Sequence, residues 1–270
     1  MKKIIALFLL TFFLLNLTYG YSKGSKYKDT DWNIHFYDNC GFPSYKKPNK
    51  NLSWLKEKKN KFLRLQLSDK QIGKCPSDNK IRNRAPYWER AELKQESTFK
   101  KNTSYEIKFK FRLIEGFQNN YEYIFQIHGY KSMKCNSPLL FIQTKGRNKH
   151  LRLLLSKYPY DRNDSISNLI KKGSFTKYKL ATNNSHRIFV ENILNKWVDI
   201  KFLIHFKQTN GMLDMYFNGE KVLENQSFDM LRCQTPHIKF GIYRPGNDQS
   251  KNFTSIIDFD KFIVNKIKKR

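Results

Sequence analysis

Tyr121-Glu122-Tyr123-Ile124-Phe125-Gln126-Ile127-His128-Gly129 is a run of aromatic and β-branched residues closed by a glycine, within a chain of 270 residues. That composition predicts a strand. Strand side chains alternate between faces, so Phe125 and Ile127 turn to a core while Gln126 and His128 share the opposite face. An amide beside an imidazole is weak evidence of function when it stands alone. Two further segments with the same alternation change its weight.

In Arg90-Ala91-Glu92-Leu93-Lys94, the residues Arg90, Glu92 and Lys94 share a face. In Ile238-Lys239-Phe240-Gly241-Ile242-Tyr243, the residues Lys239, Gly241 and Tyr243 do, with Ile238, Phe240 and Ile242 behind them. If the three strands are neighbours in one sheet, they line a groove with Arg, Gln, His, Lys and Tyr.

The rest of the chain repeats the two-residue period. Residues 62–67 form a first clear strand, and residues 105–113 alternate apolar with charged side chains, as a half-buried antiparallel strand does. Residues 138–142 and 151–155 read as buried strands. Residues 197–206 alternate again, and Asn218-Gly219 joins two short strands as a hairpin turn. Residues 255–264 supply the last strand. Residues 21–60 read as a loose segment anchored by Trp32, Phe36 and Trp54. Residues 68–86 and 156–187 read as long polar loops. No stretch has a helical period, so the expected fold is all-β: a β-jelly roll, a sandwich of two antiparallel sheets.

Lys2 and Lys3 precede an apolar run over residues 4–15, with small residues up to Gly20. This predicts a secretory signal peptide cleaved near Gly20, a secreted or periplasmic protein, and a single mature domain over residues 21–270. No later segment is long and apolar enough for a membrane helix, and no stable membrane association is expected. The net charge of +28 calls for a polyanionic partner. Such partners are nucleic acid, anionic lipid or an acidic polysaccharide, and export argues against nucleic acid. The abundance of Lys, Asn, Ile and Phe also fits an AT-rich genome, which accounts for part of the charge. Four cysteines (Cys40, Cys75, Cys135 and Cys233) allow up to two disulfides, Cys40 with Cys75 being the easiest pairing to picture. No cysteine–histidine cluster with zinc spacing is present.

The three segments resemble, in order, the signature motifs of the jelly-roll polysaccharide lyases, a group that includes alginate lyases, glucuronan lyases and heparin-lyase-I-like enzymes. The group's patterns are Arg-x-Glu-Leu, Gln-Ile/Val-His and Lys-x-Gly-x-Tyr. The counterparts are Arg90 to Leu93, Gln126 to His128 and Lys239 to Tyr243. The likeness spans roughly residues 60–264. Where alginate lyases carry Tyr and Gln around the late motif, this chain has His237 and Pro245. That departure points away from alginate and toward the glucuronan- or heparin-lyase-like branch.

The resemblance implies β-elimination on a uronic-acid polymer. Arg90 and Gln126 would neutralise the sugar carboxylate, while His128 and Tyr243 would be the base and acid. Tyr243 is expected as acid and, with its pKa lowered by Lys239 or Arg90, as a base; His128 is expected as base or charge stabiliser. Glu92 would hold Arg90 in place. Lys94, Lys239, Lys201 and His205 are expected to bind substrate in the same groove. No cofactor is required; some relatives hold a structural calcium, but no compact acidic loop here demands one. A monomer is expected. A non-catalytic module that binds anionic glycans is the alternative reading. A β-glucanase-type hydrolase needs closely spaced acids on one strand; the nearest pair, Asp258 and Asp260, reads as part of an ordinary strand.

Overall fold

The alternating segments become strands. In chain order they are β1 (Lys26–Tyr27), β2 (Phe36–Tyr37), β3 (Leu52–Glu57), β4 (Asn60–Ser68), β5 (Trp88–Gln95), β6 (Thr103–Leu113), β7 (Tyr123–His128), β8 (Pro138–Lys145), β9 (His150–Ser156), β10 (Phe175–Lys179), β11 (Val198–Phe206), β12 (Met212–Phe217), β13 (Glu220–Ser227), β14 (His237–Pro245) and β15 (Thr254–Ile267). The computed structural model describes residues 26–27, 29–38, 40, 42–43, 51–81, 85–117, 121–129, 138–145, 150–156, 175–179, 188–228, 236–246 and 253–268. The expected signal peptide, Cys135, Cys233 and most of the 156–187 segment lie outside them.

The strands form two antiparallel sheets. One has eight strands in the order β1-β2-β5-β14-β7-β8-β9-β10, and the other seven in the order β13-β12-β11-β6-β15-β4-β3. Phenylalanines from the two inner faces interdigitate. Phe109 of β6 stacks on Phe125 of β7 with ring centres 4.6 Å apart, and Phe240 of β14 meets Phe259 of β15 at 4.7 Å. Each such fully buried ring contributes about 1.5–3 kcal/mol. The product is a β-jelly roll, as the alternation predicted.

Residues 52–57, expected within a loose segment, form the regular strand β3 paired with β4. Trp32 and Phe36 are indeed anchors: both are fully buried, with ring centres 5.8 Å apart. Trp54 extends the same cluster to the edge of the seven-stranded sheet, 5.4 Å from Trp32. The hairpin at Asn218-Gly219 has both residues in the left-handed region, φ 49° and 86°, as a two-residue turn between twisted strands requires.

Candidate active site

β5, β14 and β7 are adjacent in the eight-stranded sheet. Across β5 and β14, Lys94 lies opposite Lys239, Glu92 opposite Gly241, and Arg90 opposite Tyr243. Across β14 and β7, Lys239 lies opposite Gln126 and His237 opposite His128. Their neighbours Ala91, Leu93, Phe125, Ile127, Ile238, Phe240 and Ile242 belong to the core between the sheets. Arg90, Glu92, Lys94, Gln126, His128, Lys239 and Tyr243 therefore share the outer face.

Glu92 is the centre of this patch. One carboxylate oxygen accepts from Arg90 Nη1 at 2.6 Å; the other accepts from Gln126 Nε2 at 2.5 Å. To reach Gln126, the Glu92 side chain must cross β14, and it crosses over Gly241, which has no side chain to block it. A Cβ at Gly241 would sit 2.2 Å from the Ala91 carbonyl oxygen, and the residue has φ +137°. Few other residues tolerate that backbone.

Arg90 is also held from the loop before β5. Its Nε and Nη2 donate to the two carboxylate oxygens of Asp78 at 3.0 and 2.8 Å. That loop is tied down by the Cys40–Cys75 disulfide, with Cα atoms 4.8 Å apart. Burial opposes the Arg90 charge, but Glu92, Tyr243 and Asp78 outweigh it and raise its pKa above the ordinary value. The guanidinium lies 3.9 Å from the centre of the Tyr243 ring. Of its five N–H groups, three are occupied and two make no hydrogen bond among the described residues. On Gln126, one amide N–H makes no hydrogen bond among the described residues.

His128 stands at the other end of the patch. Its Nδ1 donates to the Gly129 carbonyl at 2.6 Å, which leaves Nε2 as the bare nitrogen of the neutral ring. Burial lowers its pKa well below the ordinary imidazole value, and Lys239 and His237 push in the same direction. The His237 ring lies 5.7 Å away. Lys239 is pushed down to about 8, first by burial and then by Arg90 and Lys94; Glu92, 3.9 Å distant, works against them.

Tyr243 is opposite both Arg90 and Tyr123, whereas His128 is opposite His237. Those two rows are five residue steps apart along β7, about 16 Å at roughly 3.3 Å per residue. The expected acid and base thus flank the patch, with Gln126 and Lys239 between them. Tyr243 also packs on Trp88 and Tyr123, with ring centres 4.7 and 5.6 Å away.

Lys201 and His205 do not join this face. β11 pairs with β6 and β12 in the seven-stranded sheet. Ile200, Phe202, Ile204 and Phe206 fill its core face, so Lys201 and His205 point out on the far side of the molecule. Lys201 lies 3.7 Å from the centre of the Tyr216 ring, and His205 Nδ1 bonds Ser104 Oγ at 2.9 Å. The acidic pair of the hydrolase reading is on that sheet too. Asp258 is saturated by Arg64 at 2.7 Å and Arg112 at 2.9 Å.

Asp78, His237 and Tyr123 were missed as site residues. Asp78 comes from a loop that no strand pattern reaches. His237 was visible as the departure from the late motif. Tyr123 should turn inward by simple alternation, but a bulge next to Ile124 brings it to the outer face beside Phe141 and Tyr243.

A family model described as polysaccharide lyase matches residues 55–259, and the chain belongs to that family. No curated protein sequence matches the chain. Among solved structures it is similar to an endo-β-1,4-glucuronan lyase from the fungus Trichoderma reesei, at 15% identity and a TM-score of 0.56, covering 80% of this chain and 87% of that one. It is also similar to alginate lyase A1-II′ of polysaccharide lyase family 7, at 12% identity and a TM-score of 0.51, covering 79% and 82%. At such identities the likeness establishes a shared fold.

Proposed function

We propose that this polysaccharide lyase cleaves a uronic-acid-containing anionic polysaccharide by β-elimination, as a secreted enzyme. The observation that carries this reading is the relay from Arg90 through Glu92 to Gln126, which sets donors and the Lys239 cation between His128 and Tyr243. A sugar bound over Gln126 and Lys239 has its carboxylate within reach of the free N–H groups of Arg90 and Gln126. Their charge and dipoles stabilise the negative charge that builds up as the C5 proton leaves. Tyr243, whose ring lies 3.9 Å from the Arg90 guanidinium, takes that proton, while His128 at the far end of the patch helps to stabilise charge along the chain. The electron pair forms the C4=C5 double bond, the bond from C4 to the glycosidic oxygen breaks, and Tyr243 protonates the departing oxygen.

The likeness to a glucuronan lyase fold and the histidine at position 237 favour a glucuronan-type substrate over alginate. The test is ultraviolet absorbance of the full chain mixed with a panel of uronate polymers, since the new double bond absorbs and a hydrolysis product does not. Absorbance should rise on at least one polymer. Tyr243→Phe and His128→Asn should each lower kcat by about 10²–10⁴-fold while the circular dichroism spectrum stays native. Absence of signal on every uronate polymer would falsify the substrate class.

A further inference from the structure

The row of residues crossing the sheet at Tyr243 does not stop at Tyr123. Tyr123 pairs with Gln143 of β8, and Gln143 pairs with Arg152 of β9. Leu151, Leu153 and Leu155 belong to the inner core, whereas Leu154 clusters with Tyr123, Phe141 and Tyr243 outside it. Arg152 therefore shares the face of Tyr243.

Its surroundings are unusual for a buried cation. Arg152 is 6% exposed. Its Nε donates to Gln143 Oε1 at 2.9 Å, and its Nη2 donates to the same oxygen. Gln143 is oriented in turn by donating its own amide to the Tyr121 carbonyl at 2.9 Å. Among the described residues Arg152 has no carboxylate partner; the groups that favour its charge are the Tyr123 and Tyr121 phenols, and burial outweighs them. The other buried or half-buried arginines described are neutralised: Arg90 by Asp78 and Glu92, Arg244 by Glu89, Glu122 and Asp69, and Arg64 and Arg112 by Asp258. A buried, unneutralised guanidinium costs stability and gains a partner when an anion binds. Its Nη1 edge makes no hydrogen bond among the described residues, and a planar carboxylate fits such an edge with two parallel bonds. The Tyr121 ring stands 5.7 Å from the guanidinium and is 40% exposed. Its backbone is held at φ 56°, a left-handed conformation rare for an aromatic residue.

We propose that Arg152, oriented by Gln143 and flanked by the Tyr121 ring, is a carboxylate subsite that grips a uronate about three strand spacings from the cleaved linkage. The inference rests on the reading of this face as the polymer-binding face. A second cation along the row favours a polymer charged at successive sugars, and makes long substrates better than short ones.

The test compares Arg152→Met and Arg152→Lys with the parent chain on uronate oligomers of graded length. Arg152→Met should lower kcat/KM on long oligomers by about 10-fold, mostly through KM, with a smaller loss on the shortest cleavable oligomer. Arg152→Lys should recover part of the loss. Removing an unneutralised buried charge should leave the melting temperature of Arg152→Met at or above the parent value. An equal loss at every length, or a melting temperature well below the parent with no recovery by Arg152→Lys, would make Arg152 a structural residue and overturn the proposal. If no uronate polymer is cleaved, the elimination reading has failed and Arg152 is judged by calorimetric binding. Weaker binding of long uronate oligomers by the variants supports the subsite; unchanged binding overturns it. Should Arg152→Met not fold, Arg152→Lys, which keeps the charge but not the paired donors, carries the same comparison.

Discussion

Glu92 touches residues of all three site strands, and its charge sets the pKa of a neighbour as well as the position of two side chains. Replacing it by Gln keeps the shape and removes the charge. Arg90 then retains only Asp78 as a carboxylate partner, and stability should fall by about 1–3 kcal/mol in urea denaturation. Lys239 also loses the stronger of the two groups that raise its pKa, Asp78 being the other. The parent enzyme should bind polymer well below pH 8, where Lys239 is charged, and KM should rise as the pH passes about 8. In Glu92→Gln that limb should move to lower pH. In Lys239→Arg, where the cation persists above pH ~12, it should flatten; a limb that stays in place would assign the effect to another group. Stability runs the opposite way. The unfolded lysine titrates near 10.4, so between about pH 8 and that value the unfolded state holds more protons, and the Lys239 contribution to stability rises with pH.

β14 does two jobs with its two faces. Outward it carries His237, Lys239, Gly241 and Tyr243; inward, where Ile238, Phe240 and Ile242 lie in the core, it also carries Arg244. Arg244 donates to Glu89 of β5 at 2.6 Å, to Glu122 at 3.0 Å, to Ser255 of β15 at 2.9 Å and to Asp69 at 3.0 Å. One guanidinium thus ties the site sheet to the opposite sheet. Burial raises the pKa of Glu89, and Arg244 opposes that rise. Arg244→Met would leave Glu89 and Glu122 buried without their cation, so it should cost about 3–5 kcal/mol, read as a lower urea midpoint. Gly241→Ala acts on the other face. Its Cβ would press on the Ala91 carbonyl and force β5 and β14 apart where Glu92 crosses. Activity should fall at temperatures where circular dichroism still reports a folded chain.

For the whole molecule, the Cys40–Cys75 bond and the net charge have separate consequences. The two cysteines are 35 residues apart, and the bond anchors the loop that brings Asp78 to Arg90. Reduction, or Cys40→Ser with Cys75→Ser, should lower stability by about 3–4 kcal/mol and weaken activity through Arg90. The charge of +28 should draw polyanions from a distance. KM on polymer should climb as ionic strength rises above ~0.15 M, where the Debye length falls below about 8 Å. A salt-independent KM would confine binding to short-range contacts at the site.

A two-residue period states which side chains share a face of a strand, and that much of this protein is legible in its amino-acid order. The jelly roll, the apolar backs of β5, β7 and β14, the hairpin at Asn218-Gly219 and the grouping of Arg90, Glu92 and Lys94 all follow from it. The Cys40–Cys75 pairing also matched expectation. The period does not state which sheet a strand joins. Lys201 and His205 alternate as cleanly as Lys239 and Tyr243, yet pairing with β6 and β12 turns them to the far side of the core. Nor does it register a bulge, and one bulge moves Tyr123 across its sheet. Arg244 could be noticed as a charge among core positions, but its partners come from segments far apart in the chain. The same holds for Arg152, whose place in the row of Tyr243 depends on three successive strand pairings. Alternation is a local property of the backbone, whereas neighbours across a sheet are chosen by the packing of the whole core.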